Sequence, residues 1–300
     1  ISNDLRVPSS GEGIYAAFLS QQGKVLGDCR VLTTDDSFIV DLWEPLKQKI
    51  LDHLHRYLVA DEVEIADLSD RCAILSVQGP KSQTLLDKFF PRDQQPQTSL
   101  AHSITEFGGV EMRICRSSHT GEDGFDLMIP LADIESMARQ LTEAAATYSG
   151  GWVGEEAHEM LRIEAGIPRY GVDITEDNLI LETGLTHAVS FNKGCYLGQE
   201  VVERIRSRGH VNKALTGLLV HGEKPPVAGC KILSAEKEIG RITSSTHSPA
   251  LKSTIALGYV HRDHRSQGTQ VLVGYGDDVL VNATVTELPF AATRRDATNK

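Results

Sequence analysis

The features this sequence lacks narrow its function first. No apolar run approaches the roughly 20 residues that cross a bilayer, and no charged-then-apolar leader precedes the first strand-like segment, so no membrane association is expected. The chain opens at Ile1-Ser-Asn-Asp-Leu-Arg6 without a methionine, so an upstream segment, with any targeting signal it carried, is expected to be missing. Positive charge is scarce: 30 Lys plus Arg stand against 41 Asp plus Glu, a formal charge of −11, which argues against nucleic acid and anionic membranes as partners. Small molecules or proteins are expected instead. The cysteines, at 29, 72, 115, 195 and 230, are odd in number and widely spaced. They form no Cys-x-x-Cys and no Cys/His pair at zinc spacing, so no metal site is expected and a reducing compartment fits. The expected location is cytoplasmic, or the mitochondrial matrix in a eukaryote. Gly-x-Gly-x-x-Gly and the P-loop pattern are both absent, which leaves no support for a Rossmann or NTPase reading.

What is present is enough apolar material for more than one core: 300 residues, 40% hydrophobic. Short apolar runs at 14–19, 29–32 and 37–42 read as antiparallel strands, and a helix is predicted over 45–58 from the spacing of Leu46, Ile50, Leu51, Leu54 and Leu58. A strand at 72–77, a helix through Leu86, a polar loop at 91–99, strands at 110–115 and 124–129 and a helix over 132–146 suggest a ferredoxin-like α+β module across 47–148. A helix at 155–165 then leads into a long Gly- and Pro-bearing irregular segment, and long ordered loops are often functional. From Leu215 onward six short apolar runs alternate with turns, the pattern of a small all-β barrel or sandwich. Residues 291–300 read as a polar tail.

Cys29, Cys72 and Cys115 each lie in an apolar run and are expected in the core. Cys195 differs, because its neighbours Lys193, Gly194, Gly198, Gln199 and Glu200 are too polar and glycine-rich for a strand core. Helical character from Gln199 to Arg206 places it just before a helix N-terminus, where the dipole and Lys193 both favour thiolate; a packed turn is the competing reading. Arg204, Arg206, Arg208, His210 and Lys213 concentrate positive charge that can hold an anionic ligand, or can simply solvate a helix face. In Thr120-Gly-Glu-Asp-Gly-Phe-Asp126, a carboxylate at a strand start can bind the donor groups of a heterocycle, or the segment can be a hairpin turn. Asp28 follows Gly27 at the head of an apolar strand, a place for a carboxylate that acts on a ligand or for an ordinary turn acid.

Taken together and in order, Gly23-Lys-Val-Leu-Gly-Asp28, Thr120 to Asp126, Leu161-Arg-Ile-Glu-Ala-Gly166 and Ser248 to Val260 resemble the glycine-cleavage T-protein, or aminomethyltransferase, superfamily. Within it, Lys193-Gly-Cys-Tyr-Leu-Gly-Gln-Glu200, followed by Arg204, Arg208-Gly209 and Lys213, resembles the YgfZ type, whose members bind tetrahydrofolate and support iron-sulfur proteins. The resemblance implies an α+β, three-domain ring around a folate site. Its domains would be a discontinuous α/β first domain (1–46 and 149–210), the ferredoxin-like domain (47–148) and a C-terminal β-barrel (211–290). It implies tetrahydrofolate as cofactor, contacts from Asp28, Asp126, His158, Lys193, Arg204 and Arg208, and Cys195 as an accessible redox thiol meeting iron-sulfur proteins or their assembly factors transiently. Aligned on these motifs, the transferases carry Glu where this chain has Asp126 and Arg where it has His158, while Asp28 matches their functional Asp. The other expected activity is therefore tetrahydrofolate-dependent aminomethyl transfer, with Asp28 steering the amine.

Overall fold

The computed structural model describes residues 1–59, 62–275 and 279–290, with the side chain of Arg208 outside that set. The tail at 291–300 also lies outside the described residues. Contacts divide the chain into two compact units, one of 1–2, 17–28 and 155–300, the other of 3–16 and 29–154. Strands β1 (Gly13–Leu19) and β2 (Val25–Thr33) run through both units and pair with β3 (Phe38–Asp41) in a three-stranded sheet of order β1-β2-β3. Alternation along β2 buries Val25, Gly27, Cys29 and Val31 and leaves Leu26, Asp28 and Arg30 half-buried on the other face.

In the unit holding 29–154, α1 (Lys47–Tyr57) starts after a 3-10 turn that carries Pro45, where the missing N–H costs nothing. There follow β4 (Cys72–Gln78), α2 (Ser82–Leu86), β5 (His102–Phe107), β6 (Val110–Arg116), β7 (Gly124–Pro130) and α3 (Ile134–Ala146). The α+β module is present, but its sheet runs β4-β7-β6-β5 with every pairing antiparallel, which is not the ferredoxin-like order. The cause is β5, a third strand after α2. Phe90, Met112, Ile114, Phe125, Leu127, Ile129, Met137 and Leu141 close the core between one sheet face and the helices. Each such fully buried side chain contributes roughly 1.5–3 kcal/mol. The opposite face holds Cys72, which is half-buried rather than core because β4 is an edge strand. Cys29 and Cys115 are buried as expected.

On that second face His102 is 5% exposed. Arg113 can only donate, so His102 Nδ1 accepts from it at 2.7 Å, and Nε2 must carry the proton given to the Thr33 carbonyl at 3.0 Å. Burial and the Arg113 charge push the imidazole below its ordinary value of 6.5. The unfolded chain therefore takes up a proton first as pH falls, and the stabilisation, complete above 6.5, is lost below it. Urea midpoints measured from pH 8 to 5 are expected to fall in this window for the wild type and to fall less for His102→Gln. Parallel curves would remove His102 as the source.

In the other unit, α4 (Glu155–Glu164) leads through an irregular segment to α5 (Gln199–Arg208). The barrel strands β8 (Lys213–Val220), β9 (Lys231–Ser234), β10 (Lys237–Ser248), β11 (Ser253–His261), β12 (Gln270–Tyr275) and β13 (Val279–Thr286) close in the order β10-β11-β8-β13-β12-β9. Inside lie Leu218, Val220, Ile232, Ile242, Ala256, Val260, Val271, Val273, Ala283 and Val285. The run Ile255 to Val260 is apolar on both faces for a reason: Ala256 and Val260 point inward, while Ile255 and Leu257 pack outside against Ile163 of α4 and Phe290. No helix among the described residues is long and apolar enough to cross a membrane.

Candidate functional site

The chemistry-bearing side chains fall into two clusters, one in each unit. In the unit of 29–154 the centre is Asp126 on β7, buried at 0% exposure. It accepts from Arg30 Nη1, from Ser76 Oγ at 2.7 Å and from His119 Nε2 at 2.9 and 3.1 Å. Arg30 also donates to Asp41 and to Ser117 Oγ, the latter at 2.6 Å. Burial would push the Asp126 carboxyl up, but the His119 hydrogen bond and the Arg30 charge outweigh it and hold it at about 2. Arg30, pulled down by burial, is held up more strongly by Asp126 and Asp41. Burial pushes the Cys115 thiol, opposite Asp126 in the sheet, up to about 12 and so away from reactivity.

The loop before β7 is pinned by Gln78 of β4, whose Nε2 donates to the Ser117 carbonyl and whose Oε1 accepts the His119 backbone N–H, both at 2.9 Å. Arg116 holds Asp123 at 2.7 Å. The Thr120 to Asp126 segment is thus a fixed hairpin whose last carboxylate is consumed inside the fold. Arg30, Asp41, Ser76 and His119 were not read from the sequence. The available signal was Arg30 itself, a charge on alternate register with Asp28 in an otherwise apolar strand.

In the unit of 155–300 the segment 193–200 leads into α5, and Lys193, Tyr196, Gly198 and Gln199 in it have packing roles. Lys193 is half-buried; its Nζ donates to the Ile1 carbonyl at 2.9 Å and lies 5.4 Å from the Tyr196 ring centroid. Gln199 closes the turn, accepting from the Tyr196 N–H at 3.3 Å while its own N–H reaches the Tyr196 carbonyl at 3.2 Å. Gly198 caps the helix at φ +81, and a Cβ there would sit 2.7 Å from the Ser20 carbonyl oxygen and 2.9 Å from Gly23 Cα. Only glycine meets both demands. The Tyr196 hydroxyl is buried without a hydrogen-bond partner among the described residues, and burial pushes it up to about 12. Cys195 is exposed, the one exposed cysteine of the five, and ends four positions before the first residue of α5.

Of the other expected contacts, Asp28 is half-buried in β2 and His158 is exposed in the first turn of α4. Arg204 is exposed and has no carboxylate partner among the described residues; with Glu182, His210 and Asn212 it lines a cavity of about 200 Å³. Arg206 instead pairs with Glu203 at 3.6 Å and lies over the Phe191 ring at 4.5 Å, which is a surface role. The side chain of Arg208, also expected to contact the ligand, lies outside those described. No three His, Cys, Asp or Glu side chains among the described residues gather to hold a metal ion.

Residues 1–193 match the GCVT N-terminal domain, and 213–291 match the Glycine cleavage T-protein C-terminal barrel domain. The chain is 31% identical over 297 residues to an aminomethyltransferase of Rubrobacter xylanophilus, covering 99% of itself and 77% of that relative. It is 27% identical to one from Caldanaerobacter subterraneus subsp. tengcongensis, covering 91% of itself and 73% of that relative. The crystal structure of the glycine cleavage system aminomethyltransferase T from Bartonella henselae superposes with a TM-score of 0.83 at 25% identity, over 95% of this chain and 77% of that one. The alternation that closes the six-stranded barrel, the motifs leading into β7 and α5, and these matches along almost the whole length place the chain in the glycine-cleavage T-protein (aminomethyltransferase) family.

Proposed function

We propose that this chain binds tetrahydrofolate and acts in one-carbon chemistry as a T-protein-type aminomethyltransferase. The observation that carries the reading is family membership over both matched regions, together with a carboxylate, Asp28, held half-buried in β2. Aminomethyltransferases of the family use tetrahydrofolate as a substrate. The ligand is an amphipathic anion, and Arg204, with no carboxylate partner among the described residues and beside a cavity of about 200 Å³, suits its carboxylates. In the reaction the methylene carbon of an aminomethyl carrier forms bonds to two nitrogens of tetrahydrofolate as its bonds to the amine and to the carrier break; the two N–H protons leave with the ammonia and the freed carrier, and the Asp28 carboxylate orients the amine.

A second reading, the YgfZ type, has its own observation: Cys195 is exposed in a segment whose other side chains are mostly occupied with packing. There the bound folate and an accessible thiol would support iron-sulfur proteins. One thiolate does not hold a cluster, which takes about four ligands, so the encounter would be transient. Paired substitutions separate the two. Under the transferase reading Asp28→Asn abolishes turnover with an aminomethyl carrier and Cys195→Ala keeps it. Under the second reading Cys195→Ala fails to restore iron-sulfur enzyme activity in cells lacking the endogenous homologue.

A further inference from the structure

The cavity beside α5 holds a second charge besides Arg204. Leu179, Ile205 and Val211 give it an apolar wall, and Glu182 lines it together with the guanidinium. Glu182 is 6% exposed, and only one of its oxygens has a hydrogen bond among the described residues: Oε2 accepts from the Leu179 backbone N–H at 3.1 Å. That bond caps the 3-10 turn Ile180–Glu182 and holds the side chain in place. Among the described residues Glu182 has no cation at ion-pair distance, and Arg204 no carboxylate. Two opposite charges therefore line one cavity of about 200 Å³ without meeting each other.

A carboxylate buried without a cation is costly, so a ligand that brings one is favoured there. A cation alone satisfies Glu182 and leaves Arg204 unmet, and an anion alone does the reverse. A molecule carrying both charges meets both groups. We propose that the cavity binds a small aliphatic α-amino acid: its ammonium donates to Glu182 Oε1, its carboxylate accepts from Arg204, and its side chain packs on Leu179, Ile205 and Val211. An ionised Glu182 has acceptor capacity for the ammonium without giving up the Leu179 bond. The buried Glu182 is screened by water less than the exposed Arg204, so it is the specificity-determining residue of the two. The inference goes beyond the tetrahydrofolate reading and does not need it; the two share only Arg204, which a carboxylate of either ligand would meet.

Calorimetric titration of the full chain with L-valine tests the site against two analogues, isovalerate, which lacks the amine, and isobutylamine, which lacks the carboxylate. Valine is expected to bind, isovalerate about tenfold or more weakly, having nothing to offer Glu182, and isobutylamine about threefold to tenfold more weakly, since exposed Arg204 returns to water at less cost. Glu182→Gln keeps an oxygen for the Leu179 N–H and loses the charge. It should weaken valine by about tenfold or more and bind isovalerate no more weakly than the wild type does, with a thermal midpoint close to wild type. No heat with valine, isovalerate binding as tightly as valine to the wild type, or a Glu182→Gln variant that weakens valine and isovalerate equally would each overturn the inference. The first two results come from the unaltered protein, so an unstable variant leaves the test intact.

Discussion

Arg162→Met is expected to lower unfolding stability by about 3–5 kcal/mol, the cost of stranding a buried charge. Arg162 and Asp173 are 3% and 1% exposed. Asp173 accepts from Arg162 Nη1 at 2.8 Å, the Arg169 backbone N–H at 3.0 Å, Thr243 Oγ1 at 2.5 Å and Ser244 Oγ at 2.7 Å. Arg162 in turn donates to Glu159 at 2.7 to 3.0 Å, to the Ile167 carbonyl at 3.0 Å and to Ser244 Oγ at 2.9 Å. The pair thereby ties α4, the irregular segment after it and barrel strand β10 into one piece. Arg169 cannot replace the lost charge, because its guanidinium is paired with Glu159 at 2.9 Å. Urea unfolding measures the loss, and Arg162→Met/Asp173→Leu is expected to recover part of it, since an apolar pair leaves no stranded carboxylate. A single-variant loss below about 1 kcal/mol would mean that solvent reaches Asp173 once Arg162 is gone.

That network explains why some of the molecule was readable from the sequence and some was not. The barrel was legible because period-two alternation is local: each of its six strands carries its own inward apolar set. Cys195 stood out locally too, by the polarity of its neighbours, and it is exposed. Strand β5 was not legible. In His102-Ser-Ile-Thr-Glu-Phe107 the buried positions are His102 and Thr105, polar residues satisfied by partners elsewhere in the chain, while Ile104 is 56% exposed. The alternation rule reads such a strand as loop, and the sheet order went wrong with it. Asp126 was found, but not what surrounds it. Arg30 lies 96 positions away, in a different sheet, and only the folded chain brings the two together. Short-range pattern shows which residues have chemistry; whether a carboxylate is offered to a ligand or consumed by an arginine depends on long-range pairing.

The Arg30–Asp126 pair yields the other large effect, and losing it reverses the direction in which this site responds to pH. In the wild type the Asp126 carboxyl is held at about 2, against an ordinary aspartate value of 3.8. Its contribution, roughly 2 kcal/mol, is therefore present in full above 3.8 and lost as pH falls through about 2. Arg30→Met removes the charge and leaves the carboxylate buried with Ser76 and His119, an expected loss of about 3–5 kcal/mol at neutral pH. Burial then dominates and raises the carboxyl above 3.8, so the folded variant binds a proton more readily than its unfolded chain. Its stability should gain as pH falls through the raised value, where the Asp126 contribution in the wild type does not change. Denaturant midpoints for both proteins between pH 7 and 4, with the Asp126 carboxyl followed by ¹³C chemical shift, give the comparison. Curves that stay parallel down to pH 4 would show that His119 and Ser76, not Arg30, keep Asp126 ionised.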